Sequence, residues 1–195
     1  MEKPQAKLNS IPAVLVPLAQ GCEELEAITI TDLLTRAGIN VITAGLDEKI
    51  VTASRGMKLV PDRLLDDVLE ENFDMIVLPG GLPGADHLNN DHRIQTLVKT
   101  MADKNKYVTA ICAAPRVLAT AGLLDGKHAT SFPGALDQFP ANNMTYEEKA
   151  VVIDGNVVTS RGPGTAMDFA LTLIELLSGK EKRDEVEAPL QRMKM

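Results

Sequence analysis

Two cysteines, no tryptophan, four phenylalanines and two tyrosines are scattered through 195 residues. So few cysteines, Cys22 and Cys112 lying far apart, exclude a disulfide framework and give no zinc-knuckle spacing. The expected compartment is therefore a reducing cytoplasm. The scarcity of aromatics excludes base-stacking platforms and aromatic cages, and requires an aliphatic core. Basic blocks are also missing: 20 Lys and Arg stand against 27 Asp and Glu, leaving a net charge of −7. Nucleic-acid affinity rests on cations neutralising phosphates, so no nucleic-acid partner is expected. No run approaches the ~18 apolar residues of a membrane span, and the polar tail over residues 1–10 lacks the apolar stretch of a signal peptide. No membrane partner is expected either.

What is present is a 45% hydrophobic chain of a size suited to one domain with a sizeable core. Three short apolar runs, Ala13 to Leu18, Met75 to Leu78 and Tyr107 to Ile111, read as strands buried on both faces. Helical patterns alternate with them: Glu23 to Ala37, Leu82 to Leu88, His92 to Asp103, Ala113 to Ala121 and Gly164 to Leu177, with a strand at Ile39 to Ala44. A surface helix over Lys180 to Glu187 ends near Pro189. Two hairpins are expected, one turning at Leu46-Asp47-Glu48-Lys49 and one at Asp154-Gly155. This alternation predicts one α/β domain over residues 1–195, with a mostly parallel sheet covered on both faces.

In open α/β sheets, chemistry collects beyond the carboxyl ends of the strands. Cys112 ends a strand and directly precedes a helix, the strand–turn–helix arrangement of a nucleophile elbow with a thiol in place of a hydroxyl. A helix N-terminus there would stabilise a thiolate and lower its pKa. The competing reading is a buried cysteine acting as a small hydrophobe. Glu26 falls inside the apolar stripe of Ala27, Ile30, Leu33, Leu34 and Ala37, where a carboxyl is either solvated at the helix mouth or buried and protonated near neutral pH. Glu24 points away on this wheel, and for Glu23 and Glu24 complementarity to the helix dipole is explanation enough.

Gly80-Gly81 ends a strand, so the Gly81 and Ala113 N–H groups could form an oxyanion hole. No Lys-Ser/Thr follows as a phosphate loop requires, and Gly162-Pro163-Gly164 lacks the third glycine of a dinucleotide fingerprint. No nucleotide cofactor and no metal is expected. His87 and His92 read as surface residues; His128 could lie near the site or not.

Six stretches together resemble the ThiJ/PfpI superfamily, in the branch of the bacterial YajL proteins and the human Parkinson-disease-associated protein deglycase. They are Gly21-Cys22-Glu23-Glu24-Leu25-Glu26, Arg36-Ala37-Gly38-Ile39, Ser54-Arg55-Gly56, Val77-Leu78-Pro79-Gly80-Gly81, Ala110-Ile111-Cys112-Ala113-Ala114-Pro115 and Thr159-Ser160-Arg161-Gly162-Pro163-Gly164-Thr165. The resemblance implies a flavodoxin-like three-layer sandwich and a homodimer. It makes Cys112 the nucleophile and oxidation site, Glu26 a protonated carboxyl beside it, Gly81 and Ala113 backbone donors, and Arg55 an interface arginine near the site. Where the human protein has a histidine near the cysteine, this chain aligns Thr130-Ser131-Phe132-Pro133, and His128 stands displaced. That speaks against a PfpI-type cysteine hydrolase, which needs a base. The implied function is a cysteine-dependent glyoxalase or protein deglycase acting on methylglyoxal or its early protein adducts. The alternative is a redox-sensing chaperone without turnover. Cys22 departs from the small residue common in the family; it either resolves an oxidised Cys112 or stands by.

Overall fold

The computed structural model describes residues 11–192. Its seven-stranded sheet is built from β1 (Ala13–Leu18), β2 (Asn40–Gly45), β5 (Arg63–Leu64), β6 (Met75–Leu78), β7 (Tyr107–Ile111), β10 (Val151–Asp154) and β11 (Val157–Ser160), in the order β10-β11-β7-β6-β1-β2-β5. Every neighbouring pair is parallel except the β10–β11 hairpin. Two small ribbons complete the strands: β3 (Val51–Thr52) with β4 (Lys58–Leu59), antiparallel, and β8 (His128–Ala129) with β9 (Thr145–Tyr146), parallel.

The helices are α1 (Glu24–Arg36), α2 (Gly84–Asn90), α3 (His92–Asp103), α4 (Pro115–Thr120), α5 (Ala166–Ser178) and α6 (Lys180–Glu187). Alternate residues of each strand face opposite layers. Val14, Val16, Met75 and Val77 pack with Ile30, Leu33 and Leu34 of α1 and with Phe169, Leu173 and Ile174 of α5. Leu15, Ile76 and Leu78 pack with Leu88 of α2, Ile94 and Val98 of α3, and Leu118 of α4. Two layers of helix must each be kept dry, which is why the central strands are apolar on every residue rather than on every second one. The three strands expected from apolar runs have the bounds read from the sequence.

Three expectations are corrected. Residues 46–49 do not turn a hairpin: β2 is flanked by parallel partners, β1 and β5, and the following β3 pairs instead with β4. Gly45 permits the tight turn there, since a Cβ would lie 2.4 Å from the Glu48 carbonyl oxygen. The helix after Cys112 begins at Pro115, not Ala113, because Cys112 takes a left-handed conformation and the chain needs a turn before Pro115 can start the helix. Residues 163–165 form a 3-10 turn ahead of α5. The polar tail over residues 1–10 lies outside the described residues. Among the described residues, no helix is long and apolar enough to cross a membrane.

Candidate active site

The loops after β1, β6 and β7 meet where the chain reverses its direction of travel across the sheet: α1 leaves β1 for one layer, while α2 leaves β6 and α4 leaves β7 for the other. Such switch points open a crevice at the strand ends. Cys112 arrives there on β7 with φ +64°, a conformation unfavourable for a side chain by roughly 1–2 kcal/mol. It is held by two hydrogen bonds: its N–H donates to the Ser160 carbonyl at 3.0 Å, and its carbonyl accepts from Phe132 N–H at 2.8 Å. The residue is 8% exposed.

Glu26 stands in the first turn of α1 and is fully buried. Its Oε2 accepts the Gly80 N–H at 2.8 Å, and its Oε1 is buried with no hydrogen-bond partner. Burial raises its pKa to about 7; the Gly80 N–H and the Cys112 side chain pull the other way, and Glu23 adds to the rise. The Cys112 thiol is pushed up to about 12 by burial first and by the Glu26 charge and hydrogen bond second, against the lowering effect of the Gly81 and Ala113 N–H groups. The expected low-pKa thiolate is therefore corrected: in this resting arrangement burial and the neighbouring carboxylate outweigh the backbone donors. Two ionised groups so close repel, so thiol and carboxyl do not ionise together. A neutral Glu26 removes the repulsion and can donate to sulfur, the state in which a thiolate is stabilised.

Gly80 makes this approach possible. A Cβ there would lie 2.7 Å from Cys112 Cβ and 2.9 Å from both Glu26 Oε2 and the Ile111 carbonyl oxygen. Gly81, with φ +87°, brings its loop against the β1 loop, where an added Cβ would meet the Glu23 nitrogen at 2.4 Å. The doubled glycine after a strand was the available signal. It pointed to Gly81 as a donor but not to Gly80 as the residue that seats Glu26.

Glu24 does not simply point away. It is buried, and its carboxylate accepts from Arg55 N–H at 2.9 Å, from Met57 N–H at 3.4 Å and from Ser54 Oγ at 3.0 Å, while Glu23 accepts from the same hydroxyl at 2.8 Å. Burial opposes its ionisation, but these donors outweigh it and hold the carboxyl below its ordinary value. The pair clamps the 54–57 loop onto α1 and leaves Arg55 exposed beside the helix. Cys22, fully buried at the same end of the sheet, has its thiol pushed up to about 12 by burial and then by Glu24. Both cysteines are free. His128 is exposed and occupied by Glu147 at 2.6 Å, and His87 and His92 are exposed. Among the described residues, no group of three or more His, Cys, Asp or Glu is placed to hold a metal. A cavity of about 290 Å³ lined by Gln20, His87 and Asp91 includes neither Cys112 nor Glu26.

The sequence profile of the DJ-1/PfpI family matches residues 12–176. The chain belongs to the DJ-1/PfpI family. Protein DJ-1 homolog A of Arabidopsis thaliana is 46% identical over 179 residues, covering 91% of this chain but 46% of that protein. The chain thus spans about half the length of that relative. The glutathione-independent glyoxalase DJR-1.2 of Caenorhabditis elegans is 37% identical over 177 residues, 91% of this chain and 94% of the worm protein. The crystal structure of Drosophila melanogaster DJ-1beta superposes with a TM-score of 0.90 at 42% identity, covering 95% of this chain and all of that one. The flavodoxin-like sandwich is thus the DJ-1/PfpI fold, and the crevice at its switch point is the place in this DJ-1/PfpI chain where a thiol, a buried carboxyl and two backbone donors converge.

Proposed function

We propose that this protein is a cysteine-dependent glyoxalase or deglycase that converts methylglyoxal, or its early adducts on proteins, to lactate in carbonyl-stress defence. One observation carries the reading: the elbow thiol of Cys112 lies beside a fully buried carboxyl with one oxygen unpartnered, and faces the N–H groups of Gly81 and Ala113. The sulfur adds to the aldehyde carbon, forming a C–S bond, while the thiol proton passes through Glu26 to the carbonyl oxygen. The backbone donors stabilise charge on that oxygen during addition. Glu26 then takes the proton from the former aldehyde carbon and returns it to the adjacent ketone carbon, while the hydroxyl proton on the first carbon's oxygen passes to the oxygen of the second. The first carbon is oxidised and the second reduced, giving a lactoyl thioester on Cys112. Water cleaves the thioester, releasing lactate and the thiol. The net change is addition of one water, with no external oxidant. A carboxyl with a pKa near 7 suits both proton transfers. The name of the worm relative supports the substrate class.

The test is lactate production from methylglyoxal by wild type beside Cys112→Ala and Glu26→Gln. Both variants should lose it while keeping the fold; full activity in Cys112→Ala ends the proposal. A second reading is favoured by the unpartnered Glu26 Oε1 and the two N–H groups, which could equally hold the oxygens of a sulfinate. Peroxide would oxidise the thiolate in two steps, each releasing water, to sulfenate and then sulfinate. Mass spectrometry after mild peroxide should find Cys112 modified and buried Cys22 spared; no selectivity for Cys112 counts against a sensor. We further infer a homodimer through the face of α1 that leaves Leu25 and Ile28 exposed, next to Arg55 and Met57.

A further inference from the structure

Two large apolar side chains stand half in water on the loops that hold the site: Leu82, directly after Gly81, is 56% exposed, and Phe132 is 51% exposed. In a chain with four phenylalanines, an exposed ring on a residue whose backbone is bonded to that of the candidate nucleophile calls for an explanation that core packing does not supply. The Phe132 backbone is pinned. Its N–H donates to the Cys112 carbonyl at 2.8 Å, and its own carbonyl accepts from Ala135 N–H and from Ser131 Oγ, each at 2.9 Å. The preceding carbonyl, that of Ser131, accepts from the Tyr146 hydroxyl at 3.0 Å. The ring passes close to Gly162, where an added Cβ would meet its Cδ2 at 3.4 Å. An apolar ring on a backbone pinned in this way receives a flat substituent with little further ordering of the chain.

We propose that Phe132 is a specificity-determining residue that favours reactive carbonyl compounds carrying an aryl substituent over those carrying a small alkyl one. The proposal rests on the reading of Cys112 as nucleophile. Offset or edge contact between rings adds a discrimination beyond simple area burial, and the expected effect is about fivefold. The experiment compares the full-length wild type with Phe132→Ala and Phe132→Leu in two assays. In the first, the rates at which N-phenyl- and N-methyl-iodoacetamide alkylate Cys112 are followed by mass spectrometry, with Cys112→Ala as the blank. In the second, kcat/KM is measured for phenylglyoxal and methylglyoxal. The aryl-to-alkyl ratio should fall about fivefold in Phe132→Ala and less in Phe132→Leu. An unchanged alkylation ratio in both folded variants overturns the role given to Phe132. A ratio that falls in alkylation while neither oxoaldehyde yields a hydroxy acid supports that role and ends the glyoxalase reading. If neither reagent labels Cys112 in the wild type, both readings are overturned.

Discussion

Cys112 and Glu26 each sit where the fold disfavours them, one in the left-handed region and one as a buried acid. Strain of this kind persists only where surrounding contacts over-determine it. Replacing Cys112 by Gly removes the conformational penalty that Ala retains, so Cys112→Gly should be more stable than Cys112→Ala by about 1 kcal/mol in urea unfolding. Equal midpoints would mean that the turn is not strained. Glu26 makes a pH-dependent prediction. Its pKa rises from 4.5 unfolded to about 7 folded, so the folded state binds its proton more tightly. The stabilisation this represents is fully present below about pH 4.5 and is lost as pH rises through about 7. Glu26→Gln keeps the neutral form at every pH. Its stability relative to wild type should therefore increase between pH 5 and pH 8, by an amount on the order of 3 kcal/mol. Parallel pH profiles for the two proteins would show that Glu26 is already ionised at pH 5.

At the scale of elements, the β6 loop and the start of α1 are made for each other. Gly80→Ala places a methyl group against Cys112, Glu26 and the Ile111 carbonyl at once, two of these being backbone or closely held atoms. It should cost about 1–3 kcal/mol of stability as an overpacked substitution and displace Glu26, lowering the Cys112 alkylation rate at neutral pH or losing its pH dependence. An unaltered pH–rate profile would show that Gly80 does not seat the carboxyl. The clamp on the 54–57 loop gives a second case. Glu24→Ala leaves the Arg55 and Met57 N–H groups without their acceptor, and hydrogen exchange at these amides should quicken while β6 and β7 stay protected. The wheel placed Glu24 correctly on the helix but not against a loop from elsewhere in the chain, because periodicity describes one element at a time. The hairpin expected at residues 46–49 fails for the same reason: a polar turn between two apolar runs does not say which strands will pair, and β3 pairs with β4 instead of β2.

The whole molecule is a sheet buried on both sides, with the crevice at its switch point and one helix face left apolar in water. If that face joins two copies, Ile28→Asp should convert the assembly to a monomer in light scattering with little loss of helix content, since Ile28 is 42% exposed in the single chain. A wild type that is monomeric at high concentration would remove the proposed interface. By itself, the sequence determined the alternating strands and helices, the elbow at Cys112 and the place of Glu26 within an apolar stripe. These follow from local spacing, which dictates the face on which a side chain emerges. Only the tertiary structure decided that Gly80 lies between the thiol and the carboxyl, that Glu24 anchors the Arg55 loop, that burial raises the thiol pKa, and that the Phe132 backbone is bonded to that of Cys112. Each depends on loops far apart in sequence being brought together by strand order, and on the burial that results.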